Sequence, residues 1–162
     1  MSDTTSHATP TLESSLVRKL AEQGLTLALA ESCTGGLVAA RVTAVPGASA
    51  VFHGGVIAYH NDVKRDLLQV PAAVLESAGA VSPEAALAMA QGVRRLLHAS
   101  LAAAITGIAG PGGGTSEKPV GLVFVAVSGP SGERVKRFLF PGKRDAIRLQ
   151  AADAALRMLL SP

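Results

Sequence analysis

Leu27-Ala28-Leu29-Ala30-Glu31-Ser32-Cys33-Thr34-Gly35-Gly36 decides how the rest of the chain is read. The apolar run from Leu25 to Ala30 has the length and composition of a buried strand. It stops at a carboxylate, a hydroxyl, a thiol, a threonine and a glycine pair, after which Leu37, Val38 and Ala40 resume at helical spacing. The polar cluster therefore sits where a strand turns into a helix. In open α/β sheets, ligands bind at that edge, outside the carboxyl ends of the strands. The helix start adds unpaired N–H groups and a partial positive charge, which favour anions and oxyanions.

Toward the amino terminus, Leu12, Leu16, Val17 and Leu20 form a helical stripe ending near Gly24. Residues 1–10 are polar and Ser/Thr-rich and read as a disordered tail, leaving 11–162 as one domain. Toward the carboxyl terminus, a helix from about Gly35 to Thr43 stops before Pro46, and a loop or short helix leads to a second strand, Gly54 to Tyr59. Asn61 is the expected cap of a helix running through Lys64 to Leu68, and a helical turn follows from Pro71 to Ser77. Ser82-Pro83-Glu84 opens a longer helix with a cap, a proline suited to the first helical position and a carboxylate against the dipole. Its stripe is Ala86, Met89, Ala90, Val93, Leu96 and Leu97. Leu101 to Ile105 is a third strand, and Gly107 to Pro119 a Gly/Pro-rich loop. Val120–Val127 and Arg134–Phe140 flank Gly129-Pro130-Ser131-Gly132 as a hairpin, and a last helix, about Lys143 to Leu160, buries Ile147, Ala151, Ala154 and Met158. Strands alternating with helices predict an α/β fold: a single three-layer α/β/α sandwich with a mostly parallel sheet and an antiparallel C-terminal hairpin.

Composition narrows the function classes. With 48% hydrophobic but only 3% aromatic residues, the core must be built from Ala, Val, Leu and Ile. A net charge of +3, without long basic blocks, gives no expectation of a nucleic-acid partner. The single cysteine, Cys33, excludes an intrachain disulfide, and the four histidines lack metal-ligand spacing. No 18-residue apolar run and no signal-peptide pattern are present, so a cytoplasmic protein without a membrane partner is expected. Oligomeric state is not fixed by the sequence; a homodimer or higher homo-oligomer is compatible with the hairpin and the Ala-rich helices.

Four clusters could carry chemistry. Ser32, between a buried strand and a helix start, is placed like a nucleophile with the N–H groups of Thr34 to Gly36 near its oxyanion; the competing role for Ser32 or Thr34 is a helix cap. Cys33 is a rival nucleophile or inert packing. Tyr59-His60-Asn61-Asp62-Val63-Lys64 ends the second strand. A lysine early in a helix, or buried, has a lowered pKa and can act as base toward a serine; otherwise Lys64 is a solvated surface residue. Tyr59 is a proton shuttle or a rim aromatic. Thr106-Gly107 and the loop to Pro119 let backbone N–H groups approach a ligand, yet match neither GxxxxGK[ST] nor GxGxxG. Lys143, Arg144 and Arg148 open the last helix, where cations oppose the dipole unless an anion sits between them.

Together, Ala30-Glu31-Ser32-Cys33-Thr34-Gly35-Gly36, Gly54-Gly55-Val56-Ile57-Ala58-Tyr59 with Asn61 and Lys64, and Thr106 to Gly113 through Lys118-Pro119-Val120-Gly121 resemble the CinA C-terminal domain family over about Leu12 to Leu160. The resemblance points to its stand-alone form, the nicotinamide-nucleotide amidohydrolases. It implies hydrolysis of nicotinamide mononucleotide to nicotinate mononucleotide and ammonia, with no metal and no cofactor. It implies Ser32 as nucleophile, Lys64 as base and Tyr59 assisting. Thr34, Gly35, Gly36, Thr106 and Gly107 would line the reacting centre. The loop carrying Gly110, Gly112 and Gly113, with Arg144, would hold the ribose phosphate, and Glu31, beside Ser32, would meet the pyridinium charge. Two other readings remain: a metal-dependent nucleotide phosphohydrolase, and a non-catalytic nucleotide- or partner-binding module linked to competence or recombination.

Overall fold

A computed structural model describes residues 9–161. In chain order the elements are α1 (Leu12–Gln23), β1 (Leu27–Glu31), α2 (Leu37–Thr43), a 3-10 turn (Ala48–Ala50), β2 (Phe52–Ile57), α3 (Asn61–Asp66), α4 (Ala72–Ser77), α5 (Pro83–Leu96), β3 (Leu101–Gly107), β4 (Leu122–Gly129), β5 (Gly132–Leu139) and α6 (Arg144–Leu160). Element boundaries differ from the sequence expectations by up to two residues, and the expected tail falls, for residues 1–8, outside the described residues.

The sheet order is β2-β1-β3-β4-β5. β2, β1 and β3 pair in parallel, and β4 pairs antiparallel with both β3 and β5. β4 alone runs against the others, because the two-residue Pro130-Ser131 turn allows no crossover between β4 and β5.

The alternation within the strands explains the layers. Leu27, Leu29, Leu101, Ala103, Ile105, Val123, Val125 and Val127 face α1, α2 and α6. Ala28, Ala30, Ala102, Ala104 and Ala126 face α5, which answers with Ala86, Met89, Ala90 and Val93. An alanine-paved face lets a helix lie close. α5 also touches the chain behind it: a Cβ on Gly92 would lie 1.9 Å from the Leu68 carbonyl oxygen. With few aromatics, such close approach replaces bulk as the source of packing contacts.

Helix ends follow local chemistry. Gly24 closes α1 in the left-handed conformation (φ 64°), and Ser82 caps α5 by accepting from the Ala85 N–H at 3.1 Å. One expectation is corrected: α3 is capped by His60, whose Nδ1 accepts from the Asp62 N–H at 3.1 Å. Asn61 is therefore the first helical residue, and its side chain is left for another task. Among the described residues no helix is long and apolar enough to cross a membrane.

Candidate active site

The chain reverses its direction of sheet growth at β1. β2 is laid down on one side, and after α3–α5 the chain returns to place β3 on the other. In open α/β sheets that reversal opens a crevice outside the carboxyl ends of the two inner strands. Ser32 follows β1 there, and its N–H donates to the Ile105 carbonyl of β3 at 2.9 Å, fixing its backbone to the neighbouring strand.

Lys64 enters the same crevice from α3. It is only 2% exposed, and Nζ donates to Ser32 Oγ (3.1 Å), Ala58 O (2.7 Å) and Tyr59 O (3.2 Å). No carboxylate is among these partners. Burial, which penalises the ammonium, lowers the lysine pKa. The geometry serves both protonation states. An ammonium spends three protons on three acceptors. A neutral amine spends two on the carbonyls, which can only accept, and turns its lone pair to the one partner that can donate, the Ser32 hydroxyl.

Cys33 has no such support. Its thiol is 5% exposed, and burial pushes its pKa up to about 11, against partial relief from its own backbone N–H and the Arg148 guanidinium. A thiol neutral at ordinary pH is packing rather than a nucleophile, and it exerts no charge on Lys64.

A cleft of about 210 Å³ opens over the pair, lined by Ser32, Cys33, Tyr59, Asn61, Lys64, Ala80, Val81, Thr106, Gly107, Ala109 and Arg144. Thr106 Oγ1 donates to Ala80 O at 2.7 Å and so ties the end of β3 to the approach to α5. Gly107 has no room for a side chain, since a Cβ would meet Val123 Cγ2 at 2.7 Å and Leu122 O at 2.8 Å. Arg144 arches over the mouth, donating to Gly110 O (2.7 Å) and to the hydroxyl of the exposed Tyr59 (3.2 Å).

The structure thus brings together Ser32, Tyr59, Lys64, Thr106, Gly107 and Arg144. It gives several other expected residues different work. Glu31 is 2% exposed, and its two oxygens accept from the N–H groups of Val38 (2.9 Å) and Ala39 (3.0 Å). It closes the amino end of α2, whose cap, Gly36, offers no side chain, and it does not line the cleft. Gly35 and Gly36 hold the turn in left-handed conformations (φ 58° and 101°). The Gly35 N–H donates to Ser32 O at 3.0 Å, which removes it from the expected oxyanion donors. Thr34 is fully buried, and its Oγ1 has no hydrogen-bond partner among the described residues. Gly112 and Gly113 lie outside the cleft lining, and Gly110 takes part through its carbonyl. Arg148, expected beside Arg144 on an anion, instead donates to Cys33 O (3.1 Å) and Thr34 O (3.0 Å).

Sequence reasoning did not assign Asn61, Ala80, Val81 and Ala109 to the site. Asn61 carried a signal, a polar side chain next to a strand end. The three apolar residues carried none. Among the described residues no group of three or more His, Cys, Asp or Glu side chains gathers where it could hold a metal ion. A larger hollow, of about 470 Å³, lies at the far end of α5 and is lined in part by Arg94, Arg95 and His98. Cations there offset the negative end of the helix dipole.

The chain is similar to known proteins in sequence and fold. The family model described as the CinA C-terminal domain matches residues 9–162. A putative competence-damage inducible protein of Desulforudis audaxviator is 54% identical over 142 residues, covering 88% of this chain and 34% of its own length. A CinA-like protein of Geobacter sulfurreducens is 51% identical over 149 residues, covering 92% of this chain and 36% of its own. This chain spans about a third of the length of the curated relatives it matches. Among solved structures, the competence/damage inducible protein CihA of Agrobacterium tumefaciens superposes with a TM-score of 0.87 at 43% identity, covering 93% of this chain and 95% of that one. A CinA superfamily protein of Escherichia coli gives 0.88 at 31% identity, covering 93% and 89%.

Proposed function

From the premise that the chain belongs to the CinA family, through its C-terminal domain, we propose that it hydrolyses the carboxamide of nicotinamide mononucleotide to nicotinate mononucleotide and ammonia. The observation that carries this reading is the Lys64–Ser32 contact of 3.1 Å, made by a buried lysine with no carboxylate partner among the described residues. Burying a lysine without a counter-charge costs stability that its hydrogen bonds offset only in part; a base toward serine requires both the burial and the contact.

The reaction then follows from the groups present. Neutral Lys64 takes the Ser32 hydroxyl proton as Oγ bonds to the carboxamide carbon. The C=O electron pair moves to oxygen and gives a tetrahedral oxyanion. The donor assigned to it is the N–H of Cys33, a cleft-lining residue, which makes no backbone–backbone hydrogen bond among the described residues. Each well-placed donor of this kind is worth about 3 kcal/mol. The C–N bond breaks, and the nitrogen leaves as ammonia with the proton from Lys64. Water attacks the ester, losing its proton to Lys64, and Ser32 is restored with release of the carboxylate. Tyr59 stands at the mouth, its hydroxyl accepting from Arg144.

Size supports the division of the substrate. A cleft of about 210 Å³ takes a pyridine ring with its carboxamide but not a whole nucleotide. The ribose and phosphate extend past the Tyr59–Arg144 arch. Arg144 spends one N–H each on Gly110 O and the Tyr59 hydroxyl, leaving further donors for phosphate oxygens.

Product identification tests the reading. Incubation with nicotinamide mononucleotide should yield nicotinate mononucleotide and ammonia in equal amounts. Release of phosphate and the nucleoside would instead establish a phosphohydrolase. Binding without turnover would favour a non-catalytic module, the reading that the relatives' competence-damage names support.

A further inference from the structure

Arg148 stands on α6, more than a hundred residues from the turn that carries Ser32, yet its guanidinium is spent on that turn. Nε donates to Cys33 O and Nη2 to Thr34 O, at 3.1 and 3.0 Å. The Thr34 carbonyl also accepts from the Leu37 N–H at 3.1 Å, whereas Arg148 is the partner of the Cys33 carbonyl among the described residues. The turn's glycines occupy left-handed conformations, and its helix lacks a side-chain cap at Gly36. We propose that Arg148 is a positioning residue for the reaction: by gripping the Cys33 and Thr34 carbonyls it holds the turn that presents the Ser32 hydroxyl and the Cys33 N–H to the cleft.

The inference rests on the amide-hydrolysis reading and follows from peptide geometry. Because the peptide unit is planar, a carbonyl held from one side fixes the orientation of the whole unit. Arg148, on Cys33 O, holds the peptide after Cys33, and the Gly35 N–H, on Ser32 O, holds the peptide before it. Arg148 does not line the cleft, whereas Arg144, four residues earlier on α6, does. The two arginines thus divide the labour: one faces the substrate, the other the peptide behind the nucleophile. A lysine at 148 could reach one carbonyl but not grip both, because a planar fork is needed for two divergent acceptors.

The test compares wild type, Arg148→Gln, Arg148→Lys and Arg144→Gln. For deamidation of nicotinamide mononucleotide, Arg148→Gln should lower kcat by about 10- to 100-fold with KM within about twofold, a part of the loss seen when an oxyanion donor is removed outright. Arg148→Lys should recover part of kcat. Arg144→Gln should act mainly on KM. A second readout needs no nucleotide: acylation of Ser32 by p-nitrophenyl acetate should slow in Arg148→Gln by a similar factor, measured on protein shown to be folded by circular dichroism. If Arg148→Gln raises KM and leaves kcat unchanged, or if folded Arg148→Gln acylates at the wild-type rate, the proposal is overturned. If wild type fails to deamidate the nucleotide while Ser32 acylation still depends on Arg148, the substrate assignment falls and the role of Arg148 stands.

Discussion

Replacing Glu31 with glutamine separates two tasks that its position beside Ser32 suggests. A carboxylate next to the nucleophile could meet the pyridinium charge of a substrate; the structure instead puts it under α2. The four N–H groups that open this helix can be followed one by one. Leu37 donates to Thr34 O, Val38 and Ala39 to the Glu31 carboxylate, and Ala40 makes the first helical bond, to Gly36 O. Glutamine keeps one acceptor and turns an NH₂ group, itself a donor, toward the other N–H. One charge-assisted bond is lost and one buried N–H is left unmet, a cost of about 2–3 kcal/mol. For a domain of this length about 2–4 °C of melting temperature goes with each kcal/mol, so Glu31→Gln should melt roughly 4–12 °C below wild type. Thermal unfolding followed by circular dichroism reads this directly. Glu31→Ala, which strands both N–H groups, should fall further. An unchanged melting temperature together with a raised KM would refute the capping role and return Glu31 to the substrate.

Other expectations concern the site and its frame. Because burial lowers the Lys64 pKa, the neutral base gains population as pH rises through that lowered value, so kcat/KM should climb on an acidic limb whose midpoint lies below the ordinary lysine range. The same shift bears on stability. Between the lowered pKa and the ordinary value the unfolded chain binds more protons than the folded one, so stability relative to Lys64→Met should rise with pH across that window in denaturant titrations; a flat difference would mean that Lys64 titrates normally. Cys33→Ala should keep most of the activity, and alkylation of wild type at neutral pH should be slow, as a thiol pushed up to about 11 requires; rapid labelling accompanied by inactivation would contradict this. Gly92→Ala should destabilise by about 3 kcal/mol or more, because its Cβ would collide with the Leu68 carbonyl, a backbone group that cannot swing aside; an unchanged denaturation midpoint would show that α5 can shift.

Much of the architecture was legible because it rests on local patterns. The buried strand breaking at Glu31, the Ser82-Pro83-Glu84 helix start and the Pro130-Ser131 turn each encode their structure within a few residues. The Ser32–Lys64 pair was legible for the same reason, since each follows a strand end. What could not be read were contacts that only the tertiary fold creates. Arg148 presents the same sequence signal as Arg144, a cation in the first turns of a helix, and only the packing of α6 against the Ser32 turn separates their tasks. Glu31 resembled a substrate contact because nothing local says that its carboxylate reaches seven and eight residues forward. His60 displaced Asn61 as cap because an imidazole nitrogen can accept in place of an amide oxygen. Ala80 and Val81 reach the cleft through the Thr106 hydrogen bond and carry no chemical mark.

The most direct test of the account is ammonia release from nicotinamide mononucleotide by wild type and Ser32→Ala side by side, in excess chelator. A metal-independent serine amidohydrolase predicts release by wild type and none above background by the variant. Equal release by both proteins, or release by wild type that the chelator abolishes, would contradict the assignment of Ser32 and its lysine partner as the reacting pair.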